Sequence, residues 1–121
     1  MGIDFLKSNI KNREKKANYI ANNIKSNKSD RIRIIEVTEG GIYWRLNILV
    51  KYGRNQILNQ LLQESVLISS WFPSIDFFFE GDRGTSRQHT PVSDKIGDQI
   101  LNLWVSSQAD DRYISSLLNK L

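Results

Sequence analysis

Cysteine is absent from this 121-residue sequence, and histidine occurs only once, at His89. The lack of cysteine excludes disulfide bonds, a thiol nucleophile and thiolate metal sites. His89 has no second histidine, cysteine or carboxylate at metal-ligand spacing from it. A lone histidine in a polar segment is more commonly an exposed residue than a general base. The sequence therefore predicts no metal site and no catalytic residue.

Long hydrophobic runs are also missing. Residues 75–79, for example, are interrupted by Asp76, and no run approaches the roughly 18 residues that a membrane helix needs. The first residues lack the charged-then-apolar order of a signal peptide, and the glycines form no phosphate-binding motif. We therefore expect a cytoplasmic protein with no membrane partner and no self-sufficient active site.

The composition is that of a folded domain, with 40% hydrophobic and 25% charged residues. We interpret residues 1–121 as a single domain. The net charge of +4 is uneven, because residues 1–33 carry nine Lys or Arg against three acidic residues. A basic helix can contact phosphates, although such a charge run is more commonly a solvated face.

Hydrophobic spacing predicts the elements of this domain. A helix over 5–25 precedes a hairpin of 31–37 with 42–50, in which Glu39-Gly40-Gly41 form the turn. A helix over 55–65 and a strand over 66–70 follow, then an irregular segment over 71–91. A third helix starts at Pro91, with Ile96, Ile100, Leu101 and Leu103 as its buried stripe, and a last helix is capped by Ser107. The order α-β-β-α-β-loop-α-α indicates an α+β two-layer sandwich, with a small, mostly antiparallel three-stranded sheet and helices packed on one face.

The strand over 42–50 presents two different faces. The residues expected to face the core are apolar: Ile42, Trp44, Leu46, Ile48 and Val50. The opposite face combines an aromatic, an arginine, an amide and an aliphatic side chain: Tyr43, Arg45, Asn47 and Leu49. Such a mixed face favours burial against another domain or a second copy over exposure to water. These four residues are the predicted interface.

The irregular segment is the candidate ligand surface, because a long loop inside a compact domain is usually either functional or disordered, and loops commonly carry function. Trp71 and Phe72 directly follow the predicted strand. We predict that they bind substrate, with Arg87 and His89 as anion contacts. The alternative for the aromatic residues of this segment is ordinary core or interface packing.

Short motifs in a consistent order resemble the small domain of the DegT-type sugar aminotransferases. The central strand and the Trp-Phe-Pro sequence match the family's pattern, and the segments 91–103 and 110–114 are the most specific. The matching stretches are 12–20, 43–50, 54–62, 70–73, 91–103 and 110–114. Departures occur at Phe72, where the family has tyrosine, and at Leu103-Trp104, where it has leucine-proline.

The resemblance implies the fold of the C-terminal small domain of fold-type I pyridoxal-phosphate (PLP) enzymes. It implies transfer of an amino group to a keto sugar attached to a nucleotide, in bacterial surface-polysaccharide or deoxysugar biosynthesis. In these dimeric enzymes PLP forms a Schiff base with a lysine of the large domain, and no lysine here matches that position. We therefore expect that this chain binds no cofactor, has no activity alone, and forms one wall of an active site completed by its large domain.

Two alternatives belong to other functional classes. The basic N-terminal segment and the aromatic residues are compatible with a nucleic-acid-binding module, but the two features are not interleaved in sequence, which weighs against it. The second alternative is a non-catalytic partner-binding domain that docks through the predicted interface, as a homodimer or with another protein.

Overall fold

The computed structural model describes residues 2–27, 30–72 and 91–121. Four helices and four strands alternate irregularly along the described chain. In order they are α1 (Ile3–Ser26), β1 (Ile32–Ile35), β2 (Arg45–Val50), α2 (Arg54–Gln63), β3 (Ile68–Ser69), α3 (Pro91–Gln99), β4 (Ile100–Trp104) and α4 (Asp111–Lys120). None of the described helices is both long enough and apolar enough to cross a membrane.

The strands form one antiparallel sheet in the order β1-β2-β4-β3. The predicted hairpin is confirmed: β1 pairs with β2, with Ile34 opposite Ile48. Its turn contains Gly40 at φ +81, a backbone conformation that costs glycine little because it has no Cβ. The last strand, β4, enters the sheet between β2 and β3 and is therefore central.

The hydrophobic core lies between one face of this sheet and helices α1, α2 and α4. On the sheet side, alternate residues of β2 and β4 face the helices, as the period of two requires: Leu46, Ile48, Leu101 and Leu103. The helices contribute their apolar stripes: Ala17, Ile20, Ile24, Ile57, Leu61, Ile114 and Leu117. The predicted α+β sandwich is confirmed.

The sheet has four strands rather than the three predicted, because residues 100–104 form β4 instead of continuing a helix. Ile100, Leu101, Asn102 and Leu103 are all buried. A central strand that is buried on both faces shows a continuous apolar run, and periodicity alone cannot distinguish such a run from a buried helix. The observed order is α-β-β-α-β before the undescribed segment 73–90 and α-β-α after it.

Several predicted boundaries shift at element ends. Strand β2 begins at Arg45, and Ile42 and Trp44 are more than half exposed, so the prediction that they face the core was wrong. Ser107 does not cap α4: the N-cap is Asp110, whose carboxylate accepts a hydrogen bond from the Tyr113 amide at 2.8 Å. The Ser107 prediction was wrong because serine and aspartate are both favoured as N-cap residues, so residue type alone does not distinguish Ser107 from Asp110.

Candidate functional site

The second face of the sheet, opposite the helical core, carries polar and aromatic side chains. Residues 45, 47 and 49 of β2 lie directly across from 104, 102 and 100 of β4. Three of the four predicted interface residues, Arg45, Asn47 and Leu49, therefore share this face, and each is half-buried. Tyr43 lies before β2 and packs against the hydrophobic core, so the structure separates it from the other three.

Asn102 is the polar centre of this face and is only 1% exposed. Its Oδ1 accepts hydrogen bonds from the backbone N–H of Trp71 at 2.7 Å and from the Ser69 hydroxyl at 3.2 Å. Its Nδ2 donates to Oδ1 of Asn47 at 2.8 Å. A buried amide is tolerated when its donors and acceptors are satisfied in this way. Asn102 thus ties β2, β3 and the first residue of the candidate ligand surface together.

Trp71 and Phe72 lie just beyond β3 and are 52% and 58% exposed. The Trp71 ring contacts that of Trp44, with centroids 5.5 Å apart and planes tilted by 35°. Phe72 has φ +79, a left-handed conformation that costs a residue with a Cβ of order 1–3 kcal/mol. Both predicted substrate-binding residues therefore lie at the surface. Trp71 is fixed by a hydrogen bond and a ring contact, and Phe72 has a strained backbone conformation. Arg87 and His89 lie outside the described residues.

Arg45 connects this aromatic pair to the sheet. Its guanidinium carbon lies 4.4 Å from the ring centroid of Trp44 and 3.8 Å from that of Trp104, so the cation contacts two indole rings. Burial, and after it the charge of Arg13, lowers the pKa of Arg45. Its Nε is buried and has no hydrogen-bond partner among the described residues.

Two arginines meet at one backbone carbonyl here. Arg45 donates from Nη1 to the Trp44 carbonyl at 3.1 Å, and Arg13 of α1 donates from Nη1 to the same oxygen at 3.3 Å. The tertiary fold therefore joins the basic first helix to the exposed aromatics, which the linear sequence keeps apart.

Tyr113 of α4 supports the same end of the sheet. Its hydroxyl accepts a hydrogen bond from the Trp104 amide at 2.8 Å. Burial raises the pKa of Tyr113 to about 12, since the phenolate is poorly solvated there; the hydrogen bond from Trp104 and the charge of Arg45 act in the opposite direction. Tyr113 is therefore a neutral structural group at physiological pH.

Sequence reasoning missed three residues of this site: Trp44, Asn102 and Trp104. The alternating pattern predicts that Trp44 faces the core, and the other two residues lie in or beside the segment predicted to be a helix. One signal for Asn102 was present, since it is the only polar residue between Ile100 and Val105. Among the described residues, no His, Cys, Asp and Glu side chains are grouped as they would be to hold a metal ion.

The fold is similar to part of two solved aminotransferases. The chain superposes on an aminotransferase, TlmJ, from Streptoalloteichus hindustanus with a TM-score of 0.71 and 12% identity, covering 92% of this chain and 30% of that one. It superposes on a DegT DnrJ EryC1 StrS aminotransferase from Brucella abortus with a TM-score of 0.71 and 16% identity, covering 98% of this chain and 31% of that one.

No protein-family model and no curated protein matches the sequence. The chain thus spans about a third of the length of the two aminotransferases. The resemblance inferred from the short motifs is confirmed at the level of the fold.

Proposed function

We propose that this chain is the C-terminal small domain of a cytoplasmic PLP-dependent aminotransferase that acts on nucleotide-linked sugars in bacterial surface-polysaccharide or deoxysugar biosynthesis. The observation that carries the proposal is the superposition of almost the whole chain on about a third of two aminotransferases. The order of the short motifs along the sequence supports it independently. A domain of this kind works as part of a larger enzyme, beside a large domain that provides the Schiff-base lysine.

The second face of the sheet is the surface we assign to contact with that large domain. Arg45, Asn47 and Leu49 are only half-buried within the chain itself. A sheet face with aliphatic, amide and indole-flanked cationic groups suits a polar interdomain interface. Trp71 and Phe72 would lie at the edge of this contact and form part of the substrate-binding wall. We propose Arg87 and His89 as further anion contacts of that wall.

The described lysines do not fit a Schiff-base site. All of them are exposed or half-buried, whereas a reactive lysine is usually activated by desolvation or by a neighbouring cation. The three with described polar partners are held by the Ser106 carbonyl, Glu36 and Glu64. We therefore assign no step of PLP chemistry to a residue of this chain and propose that none of its lysines holds the cofactor as a Schiff base.

The cofactor assignment is tested by mixing the purified chain with PLP and recording the absorbance of an internal aldimine before and after borohydride reduction. We expect no borohydride-trapped adduct at a single lysine when the digested protein is mapped by mass spectrometry. A stoichiometric adduct on one lysine of residues 1–121 would contradict the proposal. The coding sequence upstream tests the larger claim: an in-frame domain with a PLP-binding lysine supports it, and an unrelated domain there refutes it.

Nucleic-acid binding is a second candidate because the fold places Arg13 and Arg45 beside the exposed Trp44–Trp71 pair. Cationic contacts to phosphates combined with base stacking are how single strands are held. Fluorescence anisotropy with labelled single-stranded RNA and DNA tests it. Micromolar binding that weakens with salt and with Trp71→Ala would support this function, and no binding at low salt would eliminate it.

A further inference from the structure

A groove runs between α1 and α4, on the helical layer of the sandwich. We call it the α1–α4 groove; it encloses about 680 Å³ and lies over the loop between β4 and α4. Its apolar part includes Val105 and Ile114, which are buried, and Leu118, which is half-buried. The volume lies within the range of sites that hold small organic molecules, and such sites are typically apolar with a few polar groups at fixed positions.

The charged groups at this groove are unbalanced. Arg13, Lys15 and Lys16 of α1 line it against a single carboxylate, that of Asp111, which leaves two positive charges in excess. Among the described residues, no carboxylate lies within ion-pair distance of these three cations. Tyr19, 56% exposed, also lines the groove. The groove therefore combines unpaired positive charge with an available aromatic side chain.

Two of the three cations are held in place by the fold. Lys16 donates to the Ser106 carbonyl at 2.9 Å, across the groove from its own helix. Arg13 donates from Nε to Asn9 at 2.8 Å and from Nη1 to the Trp44 carbonyl. A lysine ammonium has three donors and a guanidinium has five, so both keep donors for a ligand. Their positions are set before any ligand arrives, which lowers the entropy cost of binding.

We propose that the α1–α4 groove binds an organic phosphate with an aromatic or apolar body. A phosphate monoester carries between about 1.5 and 2 negative charges at pH 7, which matches the excess charge of the groove better than a single carboxylate does. The apolar floor and Tyr19 accommodate the body of the ligand. The site is on the helical layer, away from Asn102 and Leu49, and its occupancy does not depend on the proposed aminotransferase role.

The test uses 1-naphthyl phosphate as the probe in a titration of the ¹⁵N-labelled chain, followed by heteronuclear NMR. We expect saturable shifts of the amides of Tyr19, Ser106 and Ser115. We expect 1-naphthol and inorganic phosphate each to bind at least tenfold more weakly than the probe. Equal affinity for inorganic phosphate, or shifts confined to the surroundings of Trp71, would overturn the proposal.

Two variants with the same change of charge distinguish specific binding in the groove from non-specific electrostatic attraction to the basic helix α1. Lys15→Glu should weaken probe binding about fivefold, because reversal removes one attraction and adds one repulsion, each of the size typical of exposed pairs. Lys11→Glu changes the net charge equally, but Lys11 does not line the groove. The affinity of this variant for the probe should therefore stay within a factor of two of that of the unsubstituted chain. Asp111→Asn should tighten binding. Equal weakening by both lysine variants would overturn the proposal.

Discussion

Replacing Asn102 with alanine removes the only described side chain that links β2, β3 and Trp71. The Trp71 N–H can only donate, so it fixes which end of the Asn102 amide is the oxygen and leaves Nδ2 facing Asn47. Alanine would leave the Trp71 N–H without its partner. Depriving this partly buried donor of its acceptor costs about 1–3 kcal/mol, and losing the bond to Asn47 adds about 1 kcal/mol. We expect the free energy of unfolding to fall by about 2–4 kcal/mol.

Urea unfolding measures this change, with far-ultraviolet circular dichroism as the probe of the backbone. Ser69→Ala is the matched control, because it removes only the longer 3.2 Å bond to the same oxygen and should cost about 0.5–1 kcal/mol. Near-ultraviolet circular dichroism should report a loosened Trp44–Trp71 pair in Asn102→Ala only. The reasoning would be refuted if both substitutions lowered the free energy of unfolding by the same amount. It would also be refuted if Asn102→Ala changed that free energy by less than about 0.5 kcal/mol.

Three further predictions follow from single residues. An unfolded tyrosine ionises near pH 10, whereas Tyr113 in the folded chain ionises only near pH 12. The free energy of unfolding should therefore fall by about 2–3 kcal/mol as the pH rises between these values. Alkaline denaturation curves measure this fall, which should be absent from Tyr113→Phe. Asp110→Ala should lower the free energy of unfolding by about 1 kcal/mol, as measured by thermal or urea unfolding, and Ser107→Ala should hardly change it. A larger loss in Ser107→Ala than in Asp110→Ala would contradict the N-cap assignment. Leu49→Asp should weaken any self-association or docking seen by size-exclusion chromatography. The control is Leu62→Asp, at an exposed position on α2, which should leave association unchanged. Unchanged association of Leu49→Asp would contradict the assignment of the second face as the interface.

The local patterns were sufficient for most of the fold. The first helix was predicted as 5–25 and spans Ile3–Ser26, because one apolar stripe recurs every 3.6 residues against lysines and asparagines. The hairpin followed from alternation on β2 and from Gly40-Gly41 between the strands. These signals are local, since they depend on the period of one element and the dihedral preference of one residue type.

The site could be predicted only in part. The pattern predicts that Trp71 and Phe72 follow a strand and that Arg45, Asn47 and Leu49 lie opposite the core, and the structure has them there; their binding roles stay predictions. Their geometry was not predictable, since the contacts of Asn102 with Ser69 and Asn47 join residues 33 and 55 positions apart. The period of a helix or strand relates only residues within that element, so it cannot predict contacts between residues this far apart in sequence.

The apolar stripes, the hairpin turn and the lack of cysteine chemistry can be predicted from the sequence, because each is a property of neighbouring residues. The central strand at residues 100–104 cannot be predicted in this way, since a run buried on both faces has the same pattern in a strand and in a helix. The tertiary structure determines both this strand and the contact of Arg13 in the first helix with the Trp44 carbonyl. Both outcomes depend on which surfaces pack together, and packing brings together residues that are distant along the chain.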